Sequence, residues 1–258
     1  MKTFFRQLLW PSIAILLALT VITGMAYPAA ITVVAQAVFP SQANGSFITT
    51  TDGRTIGSSL IGQAFDQPQY FWGRPSDAGA GYDGMASAGS NLGPTDPRLV
   101  GFVPGVNTVG LDGSTSATNP FATPADPYCV PTDTDGSPVI SPSADTSYAM
   151  NPDGTYVCDA NTIVERAIAF RAANGLASDA SVPIDLITTS ASGLDPDISP
   201  AAAEIQVARV AAARAPKMTV DQVRAMVAKH TDGALLGFIG EPTVNVLELN
   251  LDLDGLLK

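Results

Sequence analysis

The chain is poor in histidine, in cysteine and in positive charge, and each shortage removes a class of function. One histidine, His230, stands among 258 residues. No Gly-x-Ser-x-Gly nucleophile elbow and no Gly-x-x-x-x-Gly-Lys phosphate loop occurs, so the usual constellations of an enzyme are missing. Lys and Arg total 13 against 24 Asp and Glu, a net charge of −11, which argues against binding nucleic acid through a basic patch. Two further absences divide the chain. No charged side chain lies between Arg6 and Asp52, and no basic one between Arg98 and Arg166.

The first gap is filled by an almost wholly apolar run from about Ile13 to Val34. As a helix it measures roughly 33 Å, enough to cross a hydrocarbon core of about 30 Å. We read residues 1–38 as a membrane anchor whose transmembrane helix covers about 13–34. The alternative is a cleaved secretory signal, since Ala35-Gln36-Ala37 has the small-x-small form of a cleavage site, but the run exceeds a typical signal core. Lys2 and Arg6 precede the span and no basic residue follows until Arg54, which keeps the N-terminus in the cytoplasm and places the rest outside. Pro28 removes a backbone donor within the span, and Thr20 and Gly24 share a face on which a second helix could approach closely. The same residues equally allow a kink in a lone anchor.

Beyond the anchor the expected architecture is α+β: one N-terminal transmembrane helix, then a single extracytoplasmic domain built from residues 39–101 and 161–258, with an acidic, Pro-rich insert over 102–160. Asp52-Gly53 between Phe47-Ile48-Thr49 and Thr55-Ile56-Gly57 predicts a hairpin. The insert contains seven aspartates (Asp112, Asp126, Asp133, Asp135, Asp145, Asp153 and Asp159) and both cysteines. Such composition is expected to build neither a helix nor a core of its own. Outside the membrane, Cys129 and Cys158 read as a disulfide that clips this excursion, worth about 3 to 4 kcal/mol in the chain-entropy model. Asp133-Thr134-Asp135-Gly136 has part of a calcium loop but lacks its third ligand and closing Glu.

Helical signals return at Thr162, which caps a helix near 163–173. Ser199 and Pro200 open a second, running to about Arg214, and Thr219 with Gln222 opens a third. Val182 to Ile187 and Val244 to Leu253 alternate as strands do. His230 falls at a helix end, where an imidazole meets the terminal carbonyls. Gly79-Ala80-Gly81-Tyr82-Asp83-Gly84 spells a dinucleotide fingerprint without the strand before it or the helix after it. Asp195 and Asp197 suit a Pro-flanked turn better than acid-base work.

Several blocks in order carry a resemblance: Thr23-Gly24 and Tyr27-Pro28 in the span; Gln42-Ala43-Asn44-Gly45-Ser46; Gly57-Ser58-Ser59-Leu60-Ile61-Gly62-Gln63; Tyr70-Phe71-Trp72-Gly73-Arg74-Pro75-Ser76; Ser90-Asn91-Leu92-Gly93-Pro94; Ser190 to Asp195; Ser199 to Ala203 with Gln206, Arg209 and Arg214; and Asn245 to Leu251. Together they resemble the C subunit (KdpC) of the bacterial Kdp potassium-transporting P-type ATPase. Ala88 and Ala208 replace a usual Gly and Pro, and the disulfide-bearing insert is extra to the short members of that family.

The resemblance implies a non-catalytic accessory subunit in the bacterial cell membrane. Its partners would be a channel-like potassium-binding subunit, a P-type subunit on which ATP and Mg act, and the lipid bilayer. It further implies assembly of that complex, a catalytic-chaperone role that raises ATP affinity, and a nucleotide contact at Gln206. The positive-inside reading places Gln206 across the bilayer from cytoplasmic ATP, so the expected effect is indirect, with Gln206 either at an interface or a solvent-facing or core-edge amide. Trp72, Arg74, Ser90, Asn91 and Arg209 are the candidate partner contacts.

Overall fold

In the computed structural model, residues 5–102, 119, 121–122, 128–140, 146–234 and 236–257 are described. Lys2 and the insert aspartates Asp112, Asp126 and Asp145 lie outside them. The chain forms two compact units, Met1–Leu60 and Ile61–Lys258.

The first unit is dominated by α1, Trp10–Val38, a continuous apolar helix with no residue buried in its most hydrophobic stretch. It is about 43 Å long, beyond the hydrocarbon core and close to the thickness of a bilayer with its headgroups. The turn Ile22–Ala26, just ahead of Tyr27–Pro28, is wound as a π-helix. Pro28 has no N–H, and its ring crowds the carbonyl four residues back, so a wider turn here relieves both. The hydroxyls of Thr20, Thr23 and Thr32 donate to the carbonyls of Leu16, Leu19 and Pro28 at 2.8, 2.7 and 2.8 Å. Thr20 therefore satisfies its polar group within its own helix, and the space beside Gly24 is open.

After a short helix α2 (Pro40–Ala43), the Gln36 and Asn44 side chains exchange amide hydrogen bonds at 3.2 and 3.0 Å, tying the end of α1 to the turn that follows. The expected hairpin is present as β1 (Phe47–Thr49) and β2 (Thr55–Ser58), antiparallel, with Gly53 at φ 84° in its turn.

In the second unit, α3 (Pro97–Val100) precedes the excursion and α4 (Ile163–Ala173) follows it, capped by Thr162. Next come β3 (Asp197–Ile198), α5 (Pro200–Glu204), α6 (Val207–Arg214), α7 (Val220–Lys229), β4 (Thr231–Asp232), β5 (Thr243–Asn245) and α8 (Val246–Leu253). The strands form one antiparallel sheet in the order β3-β5-β4. Helices pack around it over a core that includes Phe71, Ile198, Val207, Val210, Val223, Val244 and Leu249.

Besides the helix expected from Ser199 to Arg214, which is split into α5 and α6, four expectations change. Val182 to Ile187 is not a strand; Ile184–Leu186 is a 3-10 turn after Pro183. Val244 to Leu253 is strand only to Asn245, whose side chain then accepts the Glu248 N–H at 3.1 Å and caps α8. The Leu alternation misled because this helix is buried nearly all round, at Val246, Leu247, Leu249, Asn250, Leu251 and Leu253, leaving only Glu248 and Asp252 as a narrow polar edge. His230 does end α7, but its Nε2 lies 2.7 Å from the Asp252 carboxylate instead of addressing helix carbonyls. The excursion does bury a small core: Phe102, Phe121, Cys129 and Val130 with Tyr148 and Tyr156 packed against them, closed by a Cys129–Cys158 disulfide. Aromatic rings and the cystine supply apolar area that the count of aspartates and prolines concealed.

Candidate functional site

The expected single helix from Ser199 to Arg214 breaks at Gln206, and the break builds the site. In an unbroken helix the Gln206 N–H would donate to the Ala202 carbonyl; here it donates to Ala203 at 3.0 Å. The side-chain Nε2 of Gln206 takes over the Ala202 oxygen, also at 3.0 Å. The same nitrogen donates to the Trp72 carbonyl at 3.1 Å, while Oε1 accepts from the Trp72 N–H at 2.8 Å and from Arg209 Nη2 at 2.7 Å. A primary amide offers two donors and two lone pairs. All four positions of this fully buried side chain are filled from within the chain.

Asn250 on α8 treats the preceding residue the same way, accepting from the Phe71 N–H at 2.8 Å and donating to the Phe71 carbonyl at 2.9 Å. The segment 68–72 is thus held by side chains where a sheet would use a neighbouring strand. Arg209 donates to the carbonyls of Pro68 and Tyr70 at 2.7 and 2.9 Å, and Arg214 to that of Gln69 at 2.8 Å. Tyr70 Oη donates to Asp254 at 2.8 Å, and Arg214 pairs with the same carboxylate at 2.8 Å. The Arg209 guanidinium also lies 4.0 Å from the centre of the Trp72 ring and donates to Asn174 at 2.8 Å. Burial, with no carboxylate paired to it among the described residues, pulls Arg209 down to about 10.

The loop continues through Arg74, which pairs with Asp195 at 3.0 Å and donates to the Thr189 carbonyl at 3.2 Å. Tyr82 Oη donates to the Arg74 carbonyl at 2.7 Å, and burial, helped by Asp195, pushes the phenol up to about 12. Ser76 Oγ accepts from the N–H groups of Ala78 and Tyr82 and donates to the Gly193 carbonyl at 2.6 Å, so the glycine-rich stretch folds as a turn between loops. Gly193 sits at φ 67°, where a Cβ would run into the Ala88 carbonyl. Asp197 accepts from Asn245 at 3.2 Å, and burial followed by the neighbouring Asp195 raises its carboxyl.

Among the candidates, the structure brings Trp72, Gln206 and Arg209 into one cluster and leaves the rest apart. Arg74 belongs to the adjoining loop. Ser90 is half-buried, and the exposed Asn91, at φ 53°, donates to Gly89 at 3.0 Å. Thr20, Gly24 and Pro28 lie in α1. Sequence reasoning quoted Arg214 and Asn250 within the resemblance blocks but gave them no role in the site, and it did not single out Asp254; an Asn in the midst of buried leucines was a further signal. Asp133 Oδ1 accepts from the N–H groups of Asp135 and Ser137 at 3.0 and 2.8 Å, closing the Asp-rich turn on its own backbone. Among the described residues, no three His, Cys, Asp or Glu side chains converge as metal ligands. The cluster is a mechanical joint, with its polar groups turned inward.

Comparison with known proteins agrees with this arrangement of motifs. The family described as KdpC, K+-transporting ATPase, c chain, matches residues 9–126 and 130–255. A potassium-transporting ATPase KdpC subunit of Sorangium cellulosum is 42% identical over 95% of this chain and 96% of its own length. Those of Herpetosiphon aurantiacus and Burkholderia vietnamiensis are 40% and 42% identical, each over 98% of this chain and 97% of the relative. Coverage of that extent includes the excursion. The chain belongs to the KdpC family of K+-transporting ATPase subunits.

Proposed function

We propose that the chain is the non-catalytic accessory subunit of an ATP-driven, high-affinity potassium uptake complex. It assembles and stabilises a channel-like potassium-binding subunit and an ATP-hydrolysing P-type subunit. Its anchor is α1 in the bacterial cell membrane, with the N-terminus in the cytoplasm and the α+β domain outside. The observation that carries this reading is the family match over nearly the whole chain, joined to a single apolar helix of bilayer length. ATP and Mg act on the partner.

The chaperone effect on ATP affinity is indirect in this reading. Gln206 has no hydrogen-bonding position left for a nucleotide, and the positive-inside rule puts it on the opposite side of the membrane from ATP. The chain instead binds one conformation of the complex more tightly than another. By linkage it then raises the affinity of any ligand that prefers the same conformation. Solubilised in mild detergent, the chain is expected to bring down two larger polytopic subunits, and the complex containing it to reach half-maximal hydrolysis at lower ATP than the complex without it. Recovery as a lone monomer would instead mark a membrane-anchored binding module.

A further inference from the structure

The β4–β5 connection brings three exposed apolar side chains within four residues of one another. Strands β4 and β5 pair with Asp232 opposite Thr243, and Val244 at the root is fully buried in the core. On the tip above this fixed base, Leu236 and Phe238 are each 77% exposed and Ile239 is 48% exposed. Leu236 holds φ 57° beside Gly237 at φ 81°. A bulky non-glycine side chain at positive φ is uncommon, and such residues cluster at functional sites.

The surroundings say what kind of surface covers it. No Lys or Arg occurs between His230 and Lys258, while Asp232 and Glu241 flank the tip. Asp195, Asp232 and Glu248 all act on Asp197 near the root. Segments that lie in lipid are basic on their polar side and helical, so that headgroups are attracted and backbone groups satisfied. This tip is acidic at its base, and its backbone is irregular, with the Gly237 N–H donating to Ala234 at 2.9 Å. A protein cleft can meet irregular backbone polar groups, and lipid cannot.

We infer that Leu236, Phe238 and Ile239 form a wedge that seats in an apolar, basic-rimmed cleft on the outer face of a polytopic partner subunit. This rests on the accessory-subunit reading above, and it names the surface through which the outer domain reaches its partner. The wedge gives affinity through apolar burial, and the acidic base gives register against the rim.

The test uses the full chain co-expressed with both polytopic subunits. Leu236→Asp and Phe238→Asp are expected to lower recovery of the partners at least tenfold, with Met85→Asp, at a 96% exposed site elsewhere, recovering them at the wild-type level. A photo-crosslinker placed at position 238 is expected to join a polytopic subunit. If both tip variants recover partners as well as wild type, or the crosslinker captures lipid alone, the wedge is overturned while the accessory reading stands. If the wild-type chain itself comes down alone, the accessory reading fails and the wedge with it.

Discussion

Gln206, at the break between α5 and α6, and Asn250, on α8, grip adjacent residues: Gln206 binds both the N–H and the carbonyl of Trp72, and Asn250 binds both those of Phe71. Two side-chain amides thereby do what one partner strand does in a sheet, and they do it without requiring the 68–72 segment to lie at a sheet edge. The joint matters for any surface mounted on the domain, since the start of α6 and α8 are tied to one another through the same loop.

Removing the Gln206 amide should therefore show as lost stability. Gln206→Ala leaves the Trp72 peptide group, the Ala202 carbonyl and one Arg209 donor without partners in a buried place, at a cost of about 3 kcal/mol or more. Denaturant unfolding of the full chain in detergent measures it, and unchanged stability would show that the amide serves something other than the fold.

Arg209 depends on its fork. Its four hydrogen bonds and its stacking on Trp72 need a planar guanidinium, so Arg209→Lys is expected to cost about 2 kcal/mol and to loosen the indole. Tryptophan emission, with Trp10 replaced by Phe to leave Trp72 as the sole reporter, should shift to longer wavelength. An unaltered spectrum would contradict the stacking.

Asp252 ties α8 to the end of α7. Burial alone raises its carboxyl, but hydrogen bonds from Lys229 and His230 outweigh that and hold it below the ordinary range. A carboxyl depressed in the folded state adds stability above its unfolded value of about 4, and that stability is lost as pH falls through the folded value. The acid limb of the stability curve should flatten in Asp252→Asn; an identical limb in variant and wild type would remove this assignment.

The excursion should come apart before the main core. Reducing Cys129–Cys158, or replacing both by Ser, releases a loop 29 residues in sequence separation and costs about 3 to 4 kcal/mol by loop entropy. Near-ultraviolet dichroism from Tyr148, Tyr156 and Phe121 is expected to fall while the Trp72 signal persists. Simultaneous loss of both would mean that the two clusters fold as one.

Much of this was legible in the sequence wherever a local rule decides. Thr162, Ser199 and Thr219 cap helices as their side chains dictate, Asp52-Gly53 turns a hairpin, and the uncharged run from Trp10 is one long helix. Failures came where tertiary burial overrode the local pattern. The leucines of α8 alternate like a strand, yet Asn245 caps a helix sunk among neighbours on every side. Gln206 marked the site but not its role, because nothing local says that its side chain displaces its own backbone N–H at Ala202. The Asn250 grip joins residues 179 apart in sequence, which periodicity does not reach.

The central claim is that the domain carrying Gln206 faces away from cytoplasmic ATP and acts through its partners. Proteolysis of right-side-out membrane vesicles tests it most directly, read by fragments that contain Gln206. Cleavage of residues beyond the span from the outside, with the N-terminus protected, is the expected result. Protection of the Gln206 region until the vesicles are opened would contradict it.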